Sequence, residues 1–104
     1  MKSDWKMFRA MVPHLRERYL KEQNLRISSL LCGTTKNETE RFWNAEKEVR
    51  KVARTLQRCL DGHSRSSMFL YMLSMRAAGM LTKEDLAGFS AEIRSKVFDE
   101  GDGG

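Results

Sequence analysis

From Asn37 to Leu60 the sequence contains neither glycine nor proline. Asn37 or Thr39 can cap the start of this stretch, Glu38 and Glu40 place carboxylates in the first turn, and Asp61-Gly62 supplies a stop. The pattern predicts a single helix, a rod of roughly 35 Å at 1.5 Å per residue. Phe42, Ala45, Val49, Val52, Leu56 and Cys59 recur at alternating spacings of three and four, a heptad seam that requires a partner helix. The opposite face carries Trp43, Lys47, Arg50 and Arg54, with Lys51 and Arg58 beside them. Two readings of that face stand side by side. Lys and Arg stems can cover an aromatic on a solvated face. Alternatively the face is a protein-binding surface, since Trp and Arg are the commonest interface anchors. On the second reading the partner-binding residues are Trp43, Lys47, Arg50 and Arg54.

Upstream, Ser3 or Asp4 can cap a short helix through Met11, with Trp5, Phe8 and Val12 as its apolar points. Pro13 removes an N–H and pushes Val12 out of the α region, so a new helix is expected from Pro13 to Cys32, closed by Gly33. Its apolar points are Leu15, Tyr19, Leu20, Ile27, Leu30 and Leu31. The polar connection Thr34-Thr35-Lys36-Asn37 is short, and two long helices joined by a short turn pack antiparallel. Each helix of such a hairpin has one apolar stripe, and part of that surface stays in water. A homodimer is the simplest way to bury it.

Downstream, Ser64 can cap a helix from Arg65 to Ala78, ended by Gly79. Met68-Phe69-Leu70-Tyr71-Met72-Leu73 is apolar on every side, which predicts a buried central helix. Met68, Met72 and Met75 read as core filler rather than a cofactor box. Thr82, with Asp85 at the capping-box position, starts a short helix ended by Gly88. Ser90 starts a last one from Ala91 to about Phe98, with Ile93 and Val97 facing inward. Residues 99–104 form an acidic, glycine-rich stretch expected to be disordered. The expected organisation is a long helical hairpin over 1–62 that serves as a dimerisation arm, a compact helical head over 63–98, and the tail.

The chain is 40% hydrophobic and 32% charged, with a single proline, and is dominated by good helix formers. No apolar run approaches the roughly 20 residues of a membrane span. The start lacks the apolar core and cleavage site of a signal peptide, so the expected location is cytoplasmic. Cys32 and Cys59 form no CxxC pair and read as reduced, buried small hydrophobes. Residues 1–60 carry 14 Lys+Arg against 7 Asp+Glu, whereas residues 61–104 carry 5 against 7. A basic rod attracts acidic protein surfaces or nucleic acid. The lack of an evident helix-turn-helix or aromatic reading element argues against nucleic acid.

Reactive residue types crowd together only from Cys59 to Ser67. The Asp-Gly between Cys59 and His63 breaks the helix, which argues against a thiolate–imidazole pair. An anion site at Arg65 and the serines is the second reading, and a capped turn with His63 at the surface the third. There is no P-loop, GxGxxG or HExxH and no carboxylate pair at a telling spacing. The expectation is therefore a protein that is not an enzyme, with no catalytic residues, no metal and no cofactor.

The order of features is itself informative. A basic helix with Leu-Arg-Glu-Arg-Tyr-Leu at residues 15–20 ends in Leu30-Leu31, and the next helix opens with Phe42-Trp43 and runs through Arg54. A polar turn, a fully apolar helix, Gly79-Met80-Leu81-Thr82-Lys83-Glu84-Asp85-Leu86, a Phe and a short final helix follow. Over about residues 14–98 this order resembles the fluorescence recovery protein family of cyanobacteria and other bacteria. The resemblance implies an all-α homodimer built on long helices with a small helical head. It also implies a non-enzymatic function, binding to the photoactivated orange carotenoid protein and speeding its return from the red to the orange form. The family docks through a Trp early in the second long helix and an Arg about three turns later. Trp43 matches the Trp, and Arg54 stands where the Arg is expected. The Trp-to-Arg spacing departs slightly from the family's, and its His-Asp step falls on Glu46-Lys47 or Lys47-Glu48. Beside this reading stand a protein-interaction module with an unrelated partner, in a bacterium lacking that carotenoid protein, and a basic nucleic-acid-binding helical protein.

Overall fold

The computed structural model describes residues 2–98, with side chains from Asp4 onward. The fold of the described residues is all-α: helices joined by short turns, without strands. In chain order they form α1 (Lys2–Cys32), α2 (Glu38–Leu60), α3 (Met68–Ala77) and α4 (Ala91–Val97). One 3₁₀ turn, Arg65–Ser67, leads into α3, and another, Lys83–Leu86, precedes α4. The stretch 99–104, expected to be disordered, lies outside the described residues.

The caps explain where the elements begin. Asn37 accepts from Glu40 N at 2.8 Å and Asn37 N donates to the Glu40 side chain at 3.3 Å, a reciprocal capping box that settles the choice between Asn37 and Thr39. Ser64 caps the first 3₁₀ turn with Ser67, Thr82 caps the second with Asp85, and Ser90 caps α4. Gly62 and Gly79, at φ of 78° and 75°, take the left-handed conformation that turns the chain after α2 and α3.

Two expectations about the helices are corrected. The break at Pro13 does not occur: α1 runs through it as one helix. Pro13 is exposed, so the Arg9 carbonyl that loses its donor lies toward water. Phe8 and Leu15, on either side of it, are both fully buried and hold the two halves in one core. Packing outweighs the roughly 3 kcal/mol penalty of an interior proline. Nor is α3 buried on every side. Met68, Met72 and Met75 are buried, whereas Leu70 is 63% exposed, so the methionine row is the core face, as expected of filler, and Leu70 looks outward.

One hydrophobic cluster joins Phe8, Leu15 and Tyr19 of α1, Val52 and Cys59 of α2, the α3 methionines, Met80, Leu81, Leu86, Phe89 and Val97. The N-terminal half of α1 therefore packs with elements that follow α2. Burying each such large side chain contributes about 1.5–3 kcal/mol. Of the two cysteines, Cys59 is buried as expected. Cys32 is exposed at the end of α1, a correction that follows from its place in the last turn, where no other element covers it; both thiols are free.

Candidate interaction surface

α1 and α2 lie side by side. Arg26 pairs with Glu48 in the middle of α2, and Phe8 meets His63 just beyond the end of α2, with ring centroids 4.9 Å apart. The side of the pair that carries Arg26–Glu48 is closed by polar contacts. There Arg41 donates to the carbonyls of Gly33 and Lys36 and pairs with Glu38.

The other side is apolar and open. Of the predicted seam, Ala45, Val52 and Cys59 are buried, whereas Phe42 and Val49 remain 54% and 48% exposed. At 100° per residue, Phe42, Val49 and Leu56 sit one step round α2 from the buried set. Leu20, Ile27 and Leu31 sit one step round α1 in the same rotational sense, and Leu31 is 48% exposed. Each of the two long helices thus carries a partly exposed apolar flank beside its buried face.

Trp43, Lys47, Arg50 and Arg54 all lie exposed on the outer side of α2. Trp43 is 58% exposed and meets Phe42 edge to face, centroids 4.9 Å apart, so it links the outer face to the apolar one. The four do not behave alike. Arg50 is held by Glu46, Nη2 to Oε1 at 3.0 Å and Nε to Oε2 at 2.7 Å. Lys47 and Arg54, with Lys51 and Arg58 beside them, form no ion pair among the described residues. The acidic residues in the middle of α2 are both engaged, Glu46 by Arg50 and Glu48 by Arg26. A cationic row with no free carboxylate follows.

The reactive cluster resolves into structure. His63 Nε2 lies 2.7 Å from the Cys59 carbonyl oxygen rather than engaging the thiol. The ring packs edge-on between Phe8 and Tyr71, and Tyr71 donates to the Asp61 carbonyl. Burial pushes the Cys59 thiol pKa up, only partly offset by Arg58, which disfavours a thiolate. Among the described residues no three His, Cys, Asp or Glu side chains converge to hold a metal ion, and no helix is long and apolar enough to cross a membrane.

Two long-range polar contacts escape sequence inspection. Arg18 of α1 grips Asp85, Nη1 to Oδ1 at 2.9 Å and Nη2 to Oδ2 at 2.6 Å, and also donates to the Met80 carbonyl at 3.0 Å. The Arg18 hydrogen bonds hold the Asp85 carboxyl below the usual range, outweighing burial, with help from Thr82. Asp4 of α1 accepts from Ser90. Partners 67 and 86 residues apart leave no periodic signal. The nearest hint in the sequence is that Thr82 and Ser90 read as caps.

No protein-family model, curated protein or solved structure matches this chain.

Proposed function

We propose that the protein is a cytoplasmic, non-enzymatic regulatory binding protein of the fluorescence recovery type, acting as a homodimer. The observation that carries the reading is Trp43. A large aromatic stands more than half exposed, in line with Lys47, Arg50 and Arg54, on the side of α2 turned away from the core. Such residues anchor protein interfaces, and the resemblance of the chain names the photoactivated orange carotenoid protein as partner. Acceleration of its red-to-orange return requires only that this protein bind the route back to the orange form better than the red form.

The dimer is the companion proposal. The α1–α2 hairpin serves as the arm, and the face of Leu20, Ile27, Leu31, Phe42, Val49 and Leu56 meets its own copy about a two-fold axis. That arrangement removes the exposed seam residues from water and leaves the outer face of α2 free for the partner.

The test is spectroscopic. Orange carotenoid protein is converted to its red form with blue light, this protein is added in the dark, and absorbance is followed back to orange. Acceleration that is lost in the Trp43→Ala, Arg54→Ala double variant, with helicity intact, supports the reading. No acceleration by the folded wild-type chain overturns the carotenoid-protein partner.

A further inference from the structure

We infer that the outer face of α2 also binds single-stranded nucleic acid, its phosphates along Lys47, Lys51, Arg54 and Arg58 and a base against Trp43. The sequence argues against nucleic acid for want of an evident helix-turn-helix or aromatic reading element. The structure supplies an exposed aromatic beside a cationic row. Glu46 is occupied by Arg50 and Glu48 by Arg26, so neither neutralises the row. The four row cations are all exposed and form no ion pair among the described residues. Trp43, four residues before Lys47, presents its ring to solvent.

The spacing suits a strand. Along α2 the row steps by four, three and four residues, a rise of about 4.5–6 Å per step and about 16 Å in all, the scale of successive phosphates on an extended backbone. An electropositive track with an aromatic stacking platform is how proteins hold single strands without reading sequence. A duplex fits less well, because a lone helix face without base-reading side chains offers it phosphate contacts only. The row points away from the apolar face, so dimerisation leaves it open. This inference does not rest on the carotenoid-protein reading, since its assay contains no carotenoid protein, and either can fail without the other.

The experiment is fluorescence anisotropy with labelled twelve-residue oligothymidylate and oligouridylate across a salt series. Four contacted phosphates at about 0.7 each set the expected slope of log affinity against log salt near −3. Lys51→Gln with Arg58→Gln should roughly halve that slope. Trp43→Ala should weaken binding roughly tenfold with the slope unchanged, and Trp43→Phe should restore most of it. Arg50→Gln, which frees the Glu46 carboxylate beside the row, should weaken binding. All of these side chains are exposed, and far-UV circular dichroism checks that each variant folds. No binding to either oligonucleotide at low salt overturns the inference. So does a slope that ignores the Lys51/Arg58 change. A polyglutamate peptide that competes as well as the oligonucleotide also overturns it and assigns the row to an acidic protein surface.

Discussion

Asp4, in the first turn of α1, holds Ser90, the N-cap of α4, with both carboxylate oxygens: Oδ1 accepts from Ser90 N at 3.0 Å and Oδ2 from Ser90 Oγ at 2.7 Å. The Ser90 hydroxyl in turn accepts from Ile93 N at 3.3 Å, so one carboxylate secures the start of the chain and the start of its last helix together. Asp4 is only 2% exposed. Burial raises its pKa, but the two hydrogen bonds from Ser90 and the positive charge of the N-terminus together outweigh it, and the net shift is downward.

Asp4→Ala should therefore cost about 1.5–3 kcal/mol, the range for hydrogen bonds to a charged group, measured by urea unfolding at neutral pH. The sign for pH follows from the lowered pKa. The stabilisation is complete above the ordinary carboxylate value of 3.8 and is lost as pH falls through the lower folded value. The gap between wild type and Asp4→Ala should thus close in strong acid. A gap independent of pH would show that the charge is not what Ser90 binds.

Arg18 and Asp85 tie the middle of α1 to the capped turn before α4. Arg18 is about half exposed, so solvent screens the pair, and a double-mutant cycle with Arg18→Ala and Asp85→Ala should return a coupling of about 1 kcal/mol. Asp85→Ala alone should cost more than Arg18→Ala, because it also removes the capping box with Thr82. The coupling, like that of Asp4, should vanish as pH falls below the ordinary carboxylate range, because the Asp85 pKa is also lowered.

Pro13→Ala should stabilise the protein by about 1–3 kcal/mol, since it restores an N–H for the Arg9 carbonyl in the middle of a helix. Thermal unfolding reads the effect directly. Were Pro13 the first residue of a separate helix, the substitution would be neutral or mildly destabilising, so the sign alone tests the continuity of α1.

Alanine at the glycines should rank by geometry. At Gly62 the φ of 78° is unfavourable for a side chain and a Cβ would stand 3.1 Å from the Tyr71 hydroxyl, so a loss of about 1–2 kcal/mol or more is expected. Gly79 has the same backbone strain with nothing within 4 Å and should cost less. Gly33, without positive φ and with Ser29 O at 3.6 Å, should cost least. Equal losses at all three would contradict the backbone assignment.

Phe42→Glu with Val49→Glu places charge on the open apolar face. On the dimer proposal the variant should sediment as a folded monomer where the wild type sediments as a dimer. A monomeric wild type, or a dimer that survives both charges, would remove that face from the interface.

Local chemistry made much of this protein legible from its sequence. The caps at Asn37, Ser64, Thr82 and Ser90, the stops after α2 and α3 and the methionine core face of α3 all follow from hydrogen-bonding groups and periodicity within a few residues. The outer position of Trp43, Lys47, Arg50 and Arg54 follows equally from the helical repeat of α2. Tertiary structure decided the rest, because it depends on residues far apart in the chain. Phe8 and Leu15 lie in one core and carry α1 through Pro13. Leu70 faces solvent because the space around α3 is filled on the methionine side only. Glu46 and Glu48 are consumed by Arg50 and Arg26, which turns a face of mixed charge into a row of free cations. Sequence periodicity assigns a residue to a side of its helix; only the packing of helices against one another determines what that side meets.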